Sequence, residues 1–212
     1  MLRIGVLVSG GGTNLQAILD GIESGYIPEA SIELVISNKK GAYALTRAAK
    51  ANIETAIIGR KQFNSPEAYD EALADRLKAA NIDLVLLAGF MAILGPDFFT
   101  DFKNKVMNVH PALIPAFSGP GFYGLKVHES VLATGCKVTG ASVHFVTPEV
   151  DAGPLILQQA VEVKQGDDPE TLQRRVMEEA EWKIYPEAVR LFALGLLEVR
   201  GQHVYINNRN DE

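Results

Sequence analysis

Ile4-Gly5-Val6-Leu7-Val8-Ser9-Gly10-Gly11-Gly12-Thr13-Asn14 reads as a short apolar strand broken by a glycine turn. Leu15, Ile18, Leu19 and Ile22 then recur at helix spacing before Gly25. Strand, glycine turn and helix in that order outline an anion cradle. Glycines let backbone N–H groups approach a ligand closely, and the new helix adds its positive end. Leu15 stands where the third glycine of a dinucleotide fingerprint would be, and no Gly-Lys-Ser/Thr follows for a nucleotide triphosphate. One terminal phosphate is the expected ligand; a plain tight turn is the alternative.

The rhythm continues from there. Ile32 to Ile36 reads as a strand, Ala42 to Ala51 as a helix and Thr55 to Ile58 as a strand. A helix over Pro66 to Ala80 follows, with Ser65 as its N-cap and Pro66 in its first turn, and then a strand over Leu84 to Ala88. Strands that are apolar throughout belong to a parallel sheet covered on both faces. The expected class is α/β, a three-layer fold with a mostly parallel twisted sheet and a Rossmann-like N-terminal half. Gly89 to Pro96, just past a strand end, suits either a flat organic ligand or plain core.

Val106-Met107-Asn108-Val109-His110-Pro111 brings two polar side chains, two residues apart, to one face of a strand end. Pro111 cannot donate to a ladder, so the imidazole of His110 is expected at the sheet rim. A loop rich in proline, glycine and aromatics runs from Pro115 to Gly124, and its aromatics suggest a flap. A helix over Val127 to Thr134 and strands over Thr139 to Val146 and Leu155 to Val163 come next. Asp151 lies between those strands in a loop bounded by Pro148 and Gly153-Pro154, with its backbone fixed as a charge partner needs. The last long helix starts at Asp167 and carries Leu172, Val176, Ala180 and Ile184 on one stripe, with a kink expected at Pro186. Glu181 sits at the edge of that stripe, where it either reaches inward or stays exposed. Leu197 to Ile206 reads as a terminal hairpin.

A chain of 212 residues with 47% apolar content suits a single domain, with halves over 1–109 and 110–212. No signal-like opening and no run of about 20 apolar residues occurs, so a cytoplasmic address without a membrane partner is expected. A net charge of −6 is the wrong sign for nucleic-acid binding. Cys136, the one cysteine, excludes an internal disulfide and reads as inertly buried. No His-Glu-x-x-His motif or Gly-x-Ser-x-Gly elbow appears, so neither a metal site nor a serine hydrolase is expected. Of the four histidines, only His110 combines a strand end, a neighbouring amide and a following proline; His144 reads as core or as a supporting group.

Six segments together resemble one enzyme family: Ser9 to Ala17, Ile36 to Lys39, Ala88 to Met91, Asn108 to Pro115, Val143 to Val146 and Asp151 to Pro154. They are similar, almost end to end, to the folate-dependent phosphoribosylglycinamide formyltransferases of purine synthesis. The Asn-x-His-Pro and Asp-x-Gly-Pro pair is shared by the wider formyltransferase group; the Gly-Gly-Thr-Asn loop and short chain point to this branch.

The resemblance implies 10-formyltetrahydrofolate as formyl donor, no metal, and a monomer or homodimer acting on small molecules. It implies that Gly12, Thr13 and Asn14 hold a ribose phosphate and that Glu181 holds the glycinamide. Met91, Ala92, Ile93, Leu94 and Asn108 would bind the folate, with the Asp151 loop beside the pteridine. Asn108 and protonated His110 would stabilise a tetrahedral oxyanion, with Asp151 raising the His110 pKa above its reference near 6.5. The family often has an arginine at the positions of Pro66 and Ala92, so positive charge is missing on the expected folate side. The rivals are a formyltetrahydrofolate hydrolase and a non-catalytic sugar-phosphate-binding domain.

Overall fold

The computed structural model describes residues 1–207. It divides into two compact units, Met1–Asn108 and Val109–Glu212.

In the first unit the chain alternates strand and helix: β1 (Leu2–Val8), α1 (Thr13–Glu23), β2 (Ala30–Ser37), α2 (Tyr43–Lys50), β3 (Glu54–Ile57), α3 (Pro66–Ala79), β4 (Leu84–Ala88), the short α4 (Phe98–Asp101) and then β5 (Val106–His110), whose last two residues begin the second unit. These strands lie in the order β3-β2-β1-β4-β5, and each neighbouring pair is parallel. Every residue from Ile4 to Val8 and from Leu84 to Ala88 is buried, as strands covered on both faces require. The direction of winding reverses between β1 and β4. Loops leaving the C-terminal ends of two such strands frame the crevice where open α/β sheets bind ligands. Here those loops are Ser9 to Gly12 and Gly89 to Pro96. Helix α3 begins as its sequence dictates: the Ser65 side chain accepts the Ala68 N–H at 3.1 Å, and Pro66 occupies the first turn.

The second unit contains α5 (Leu125–Ala133), β6 (Val138–Phe145), β7 (Leu155–Glu162), α6 (Pro169–Val176), α7 (Trp182–Ala193), β8 (Leu197–Arg200) and β9 (His203–Ile206). Strands β6 and β7 pair antiparallel, and β8 and β9 form the terminal hairpin. The β6–β7 connection holds Asp151 in a left-handed conformation, φ 55°. Gly153 makes that turn possible: a Cβ there would lie 1.8 Å from the Phe145 carbonyl oxygen.

The winding of the last helix changes ahead of the expected kink at Pro186. Helix α7 runs through the proline, and a π turn over Met177–Glu181 separates it from α6. Pro186 has no N–H to give to the residue four before it, Trp182, which is the first residue of α7. Cys136 is part-exposed and accepts the Thr134 hydroxyl at 3.1 Å, so inert burial does not describe it. The reason is local: it follows Gly135 in the turn before β6, outside the buried run that starts at Thr139. Among the described residues no helix is long and apolar enough to cross a membrane.

Candidate active site

In the first unit the glycine loop is held from behind by α2. The Gly10 carbonyl accepts the Ala44 N–H at 3.0 Å, and the Gly11 carbonyl accepts Arg47 Nε–H at 2.9 Å. Gly12 has φ 72°, and a Cβ on it would lie 2.6 Å from Ala44 Cβ, so only glycine fits there. Thr13 and the buried Asn14 open α1 directly after it. Gly12, Thr13 and Asn14 thus form the N-terminus of a helix at the end of β1, the geometry that favours an anion.

The Gly89 to Pro96 segment leaves the adjacent strand and is pinned at two points. Met91 N–H donates to Ser9 Oγ at 2.9 Å, and Gly95 N–H donates to Asp70 Oδ2 at 2.7 Å. Burial holds the Asp70 carboxyl above its ordinary pKa, the Gly95 bond only partly offsetting it. Between the pins, Met91 is 49% and Ile93 73% exposed, whereas Leu94 is 4% exposed. Plain core therefore describes Leu94 but not Met91 or Ile93. Two large apolar side chains left in solvent at a strand's C-terminal end suit a flat organic ligand.

Strand β5 carries Asn108, half-buried, and His110, 3% exposed. Around His110 the second unit builds a compact cluster. Its Nδ1 lies 3.5 Å from Asp151 Oδ2, and its Nε2 lies 2.8 Å from the Phe117 carbonyl oxygen. Asp151 Oδ2 also accepts the Gly119 N–H at 3.0 Å, and its Oδ1 lies 3.7 Å from His144 Nε2. His144 in turn has Nδ1 3.0 Å from the Phe145 carbonyl. Burial raises the Asp151 pKa, but the His144 hydrogen bond, the His110 ring and the Gly119 N–H outweigh it and leave the carboxyl below its usual range. It is an anion at neutral pH.

The protonated His110 expected from the sequence does not describe this state. Burial pushes its pKa down, and the Asp151 charge and Phe117 carbonyl recover only part of that, with His144 adding a little against them. A neutral imidazole has one N–H, yet this ring faces an acceptor at each nitrogen. The shorter contact favours the tautomer with the proton on Nε2, donated to the Phe117 carbonyl. Only the imidazolium would satisfy both acceptors.

Glu181 closes the π turn and is 6% exposed, so it reaches inward and the exposed-edge reading fails. His128 on α5 is fully buried, and neither ring nitrogen has a hydrogen-bond partner among the described residues. Burial first, and the neighbouring His110 second, push its pKa down to about 4. Sequence reading left His128 aside and gave His144 no partner. The Val-His-Phe-Val strand could have flagged His144, because strand alternation turns it to the same side as Ser142. Phe117 and Gly119 act through backbone atoms and left no side-chain signal.

The formyl transferase family model matches residues 2–189. The phosphoribosylglycinamide formyltransferase of Haemophilus influenzae is 40% identical over 209 residues, covering 99% of this chain and 95% of that protein. The crystal structure of glycinamide ribonucleotide transformylase 1 from Symbiobacterium toebii superposes with a TM-score of 0.93 at 48% identity, over 98% of this chain and 95% of that one. The trifunctional purine biosynthetic protein adenosine-3 of Bos taurus is 44% identical over 199 residues, but the chain spans only 19% of its length. The match takes in the glycine loop, the Asn108 strand and the Asp151 turn alike, and the chain belongs to the formyl transferase family.

Proposed function

We propose that the protein transfers a formyl group from 10-formyltetrahydrofolate to the amine of N1-(5-phosphoribosyl)glycinamide, a step of de novo purine (IMP) synthesis. The observation that carries this reading is the 3.5 Å approach of Asp151 to His110, on the strand that also bears Asn108. The name of the Haemophilus influenzae relative supplies the phosphoribosylglycinamide acceptor and the formyl group, and the resemblance to the folate-dependent family supplies the donor. Gly12, Thr13 and Asn14 take the ribose phosphate, and the buried carboxylate of Glu181 takes the glycinamide. Met91, Ala92 and Ile93 bind the pteridine, for which exposed Met91 and Ile93 are suited, while buried Leu94 belongs to the core. Asn108 contacts the formyl group. The family match spans residues 2–189 and so extends to both sides of the division after Asn108, which supports reading the chain, 1–212, as one formyltransferase domain.

The chemistry follows from the two acceptors beside His110. Displacing the Phe117 carbonyl removes the group that keeps the proton on Nε2. The Asp151 carboxylate then draws it to Nδ1 and leaves Nε2 a base. As the substrate amine bonds to the formyl carbon, the carbonyl electron pair moves to oxygen, where the Asn108 amide donates a hydrogen bond. Nε2 takes the proton released by the amine, and the imidazolium so formed, backed by Asp151, steadies the oxyanion. The same proton passes to the folate nitrogen as its bond to carbon breaks, which returns the ring to neutral. No metal enters these steps, and the protein acts in the cytoplasm, as monomer or homodimer, on small molecules.

The test is to incubate the protein with 10-formyltetrahydrofolate, with and without glycinamide ribonucleotide, and follow deformylation. Turnover that requires the amine supports transfer. Turnover in water alone points to a hydrolase, and none under either condition points to a sugar-phosphate-binding domain.

A further inference from the structure

Arg47 belongs to α2, outside the residues assigned above, yet it bonds directly to the glycine loop. Its Nε–H donates to the Gly11 carbonyl at 2.9 Å, and its Nη1 donates to Gln16 Oε1 at 3.0 Å. The guanidinium also lies 5.2 Å from the centre of the Tyr43 ring. Three residues earlier on the same helix, the Ala44 N–H holds the Gly10 carbonyl at 3.0 Å.

These bonds fix more than two oxygens. In a trans peptide the C=O of one residue and the N–H of the next point in opposite directions, and the peptide bonds of this loop are trans. Turning the Gly10 and Gly11 carbonyls toward α2 therefore turns the Gly11 and Gly12 N–H groups away from it. The Gly12 carbonyl accepts the Gln16 N–H at 3.0 Å as the first bond of α1, so the Thr13 N–H points back past the N-terminus of that helix. Two successive loop amides thus face away from α2 beside a helix N-terminus, which is the arrangement that cradles an anion. Glycine has no side chain to hold such a plane, and without a rear anchor each peptide of the loop would rotate freely.

We infer that Arg47 is a positioning residue for phosphate binding: it holds the Gly11–Gly12 peptide so that its N–H faces the substrate phosphate, while its own charge stays on the opposite side of the loop. This rests on the formyl-transfer reading and adds a determinant of phosphate affinity that the motif residues do not contain. The effect belongs to binding, because the Arg47 bonds are to the loop and to α1 and none is to the His110 cluster.

Steady-state kinetics of the full chain and of Arg47→Ala, Arg47→Lys and Gln16→Ala test it, with glycinamide ribonucleotide and 10-formyltetrahydrofolate varied in turn and inorganic phosphate as competitor. Arg47→Ala is expected to raise KM for the ribonucleotide and the inhibition constant of phosphate together, by about tenfold, as loss of a charged hydrogen bond does. The turnover number and KM for the folate are expected to stay within about twofold. Arg47→Lys, which keeps one donor for Gly11, should recover part of the loss. Gln16→Ala, which removes only the outer anchor, should show a smaller rise and provides the reading if Arg47→Ala does not fold. Unchanged KM and phosphate inhibition in an active wild-type background overturn the inference alone. A fall in turnover at unchanged KM does so too. A wild-type protein that transfers no formyl group to the ribonucleotide overturns both this and the function it rests on.

Discussion

The Phe117 carbonyl oxygen lies 2.8 Å from His110 Nε2, so the loop occupies the nitrogen to which the proposed mechanism gives the role of base. In the free protein His110 is expected to be neutral at pH 7 with its proton on Nε2. Burial sets the direction of its pKa, below the ordinary 6.5. Nitrogen-15 chemical shifts followed through a pH titration read both the tautomer and the pKa. A charged ring at pH 7 would contradict the structure of this cluster.

Asp151→Asn separates the charge of Asp151 from its shape. The amide oxygen still accepts the Gly119 N–H, so the loop stays anchored. The negative charge behind Nδ1 is lost, and with it the group that in the proposed mechanism draws the proton from Nε2 and stabilises the imidazolium. Turnover should fall by about 10²-fold or more, within the usual range for losing acid–base assistance. The His110 pKa should move further down. Turnover within a few-fold of wild type would remove Asp151 from the mechanism.

Ser9 links the loop after β1 to the segment after β4 through its 2.9 Å bond from Met91 N–H. Ser9→Ala removes that acceptor and loosens Met91 without touching the His110 cluster. The cost of such a part-buried hydrogen bond is about 1 kcal/mol, a several-fold rise in KM for the folate. Turnover at saturation should change little. An unchanged KM for the folate would show that the Met91 segment holds its place without Ser9.

His128 makes stability pH-dependent. The folded protein keeps its ring neutral down to about pH 4, whereas the unfolded chain binds a proton near 6.5. Between those values the unfolded state binds more protons, so stability is full above pH 6.5 and is lost as pH falls toward 4. The loss at the lower end is about 3 kcal/mol. His128→Leu removes the titration and two unpartnered ring nitrogens. Urea unfolding at several pH values should show near wild-type stability at pH 7 and a flatter decline in acid. Parallel declines in the two proteins would exclude His128 as the source.

Much of this was legible from residue types alone. Apolar runs bounded by glycine and proline mark β1, β4 and β5, and Ser65-Pro66 marks the start of α3, because capping and periodicity are local properties. The glycine loop, Asn108, His110 and Asp151 are visible as motifs for the same reason. Three things were not. The neutral state of His110 depends on its burial among β6 and the loop, which outweighs the Asp151 charge. The π turn over Met177–Glu181 leaves no mark in the apolar stripe of the last helix. Contacts through backbone atoms, such as Phe117 to His110 and Arg47 to Gly11, depend on how the chain turns rather than on which side chain stands there.

The central claim is that His110 moves the proton while the formyl group changes partners, and single-turnover transfer by His110→Ala tests it most directly. With wild type and variant both saturated in 10-formyltetrahydrofolate and glycinamide ribonucleotide, the variant is expected to be slower by about 10²–10³-fold. Binding of both substrates should remain within a few-fold. Formyl transfer by His110→Ala at a near-normal rate would contradict the account.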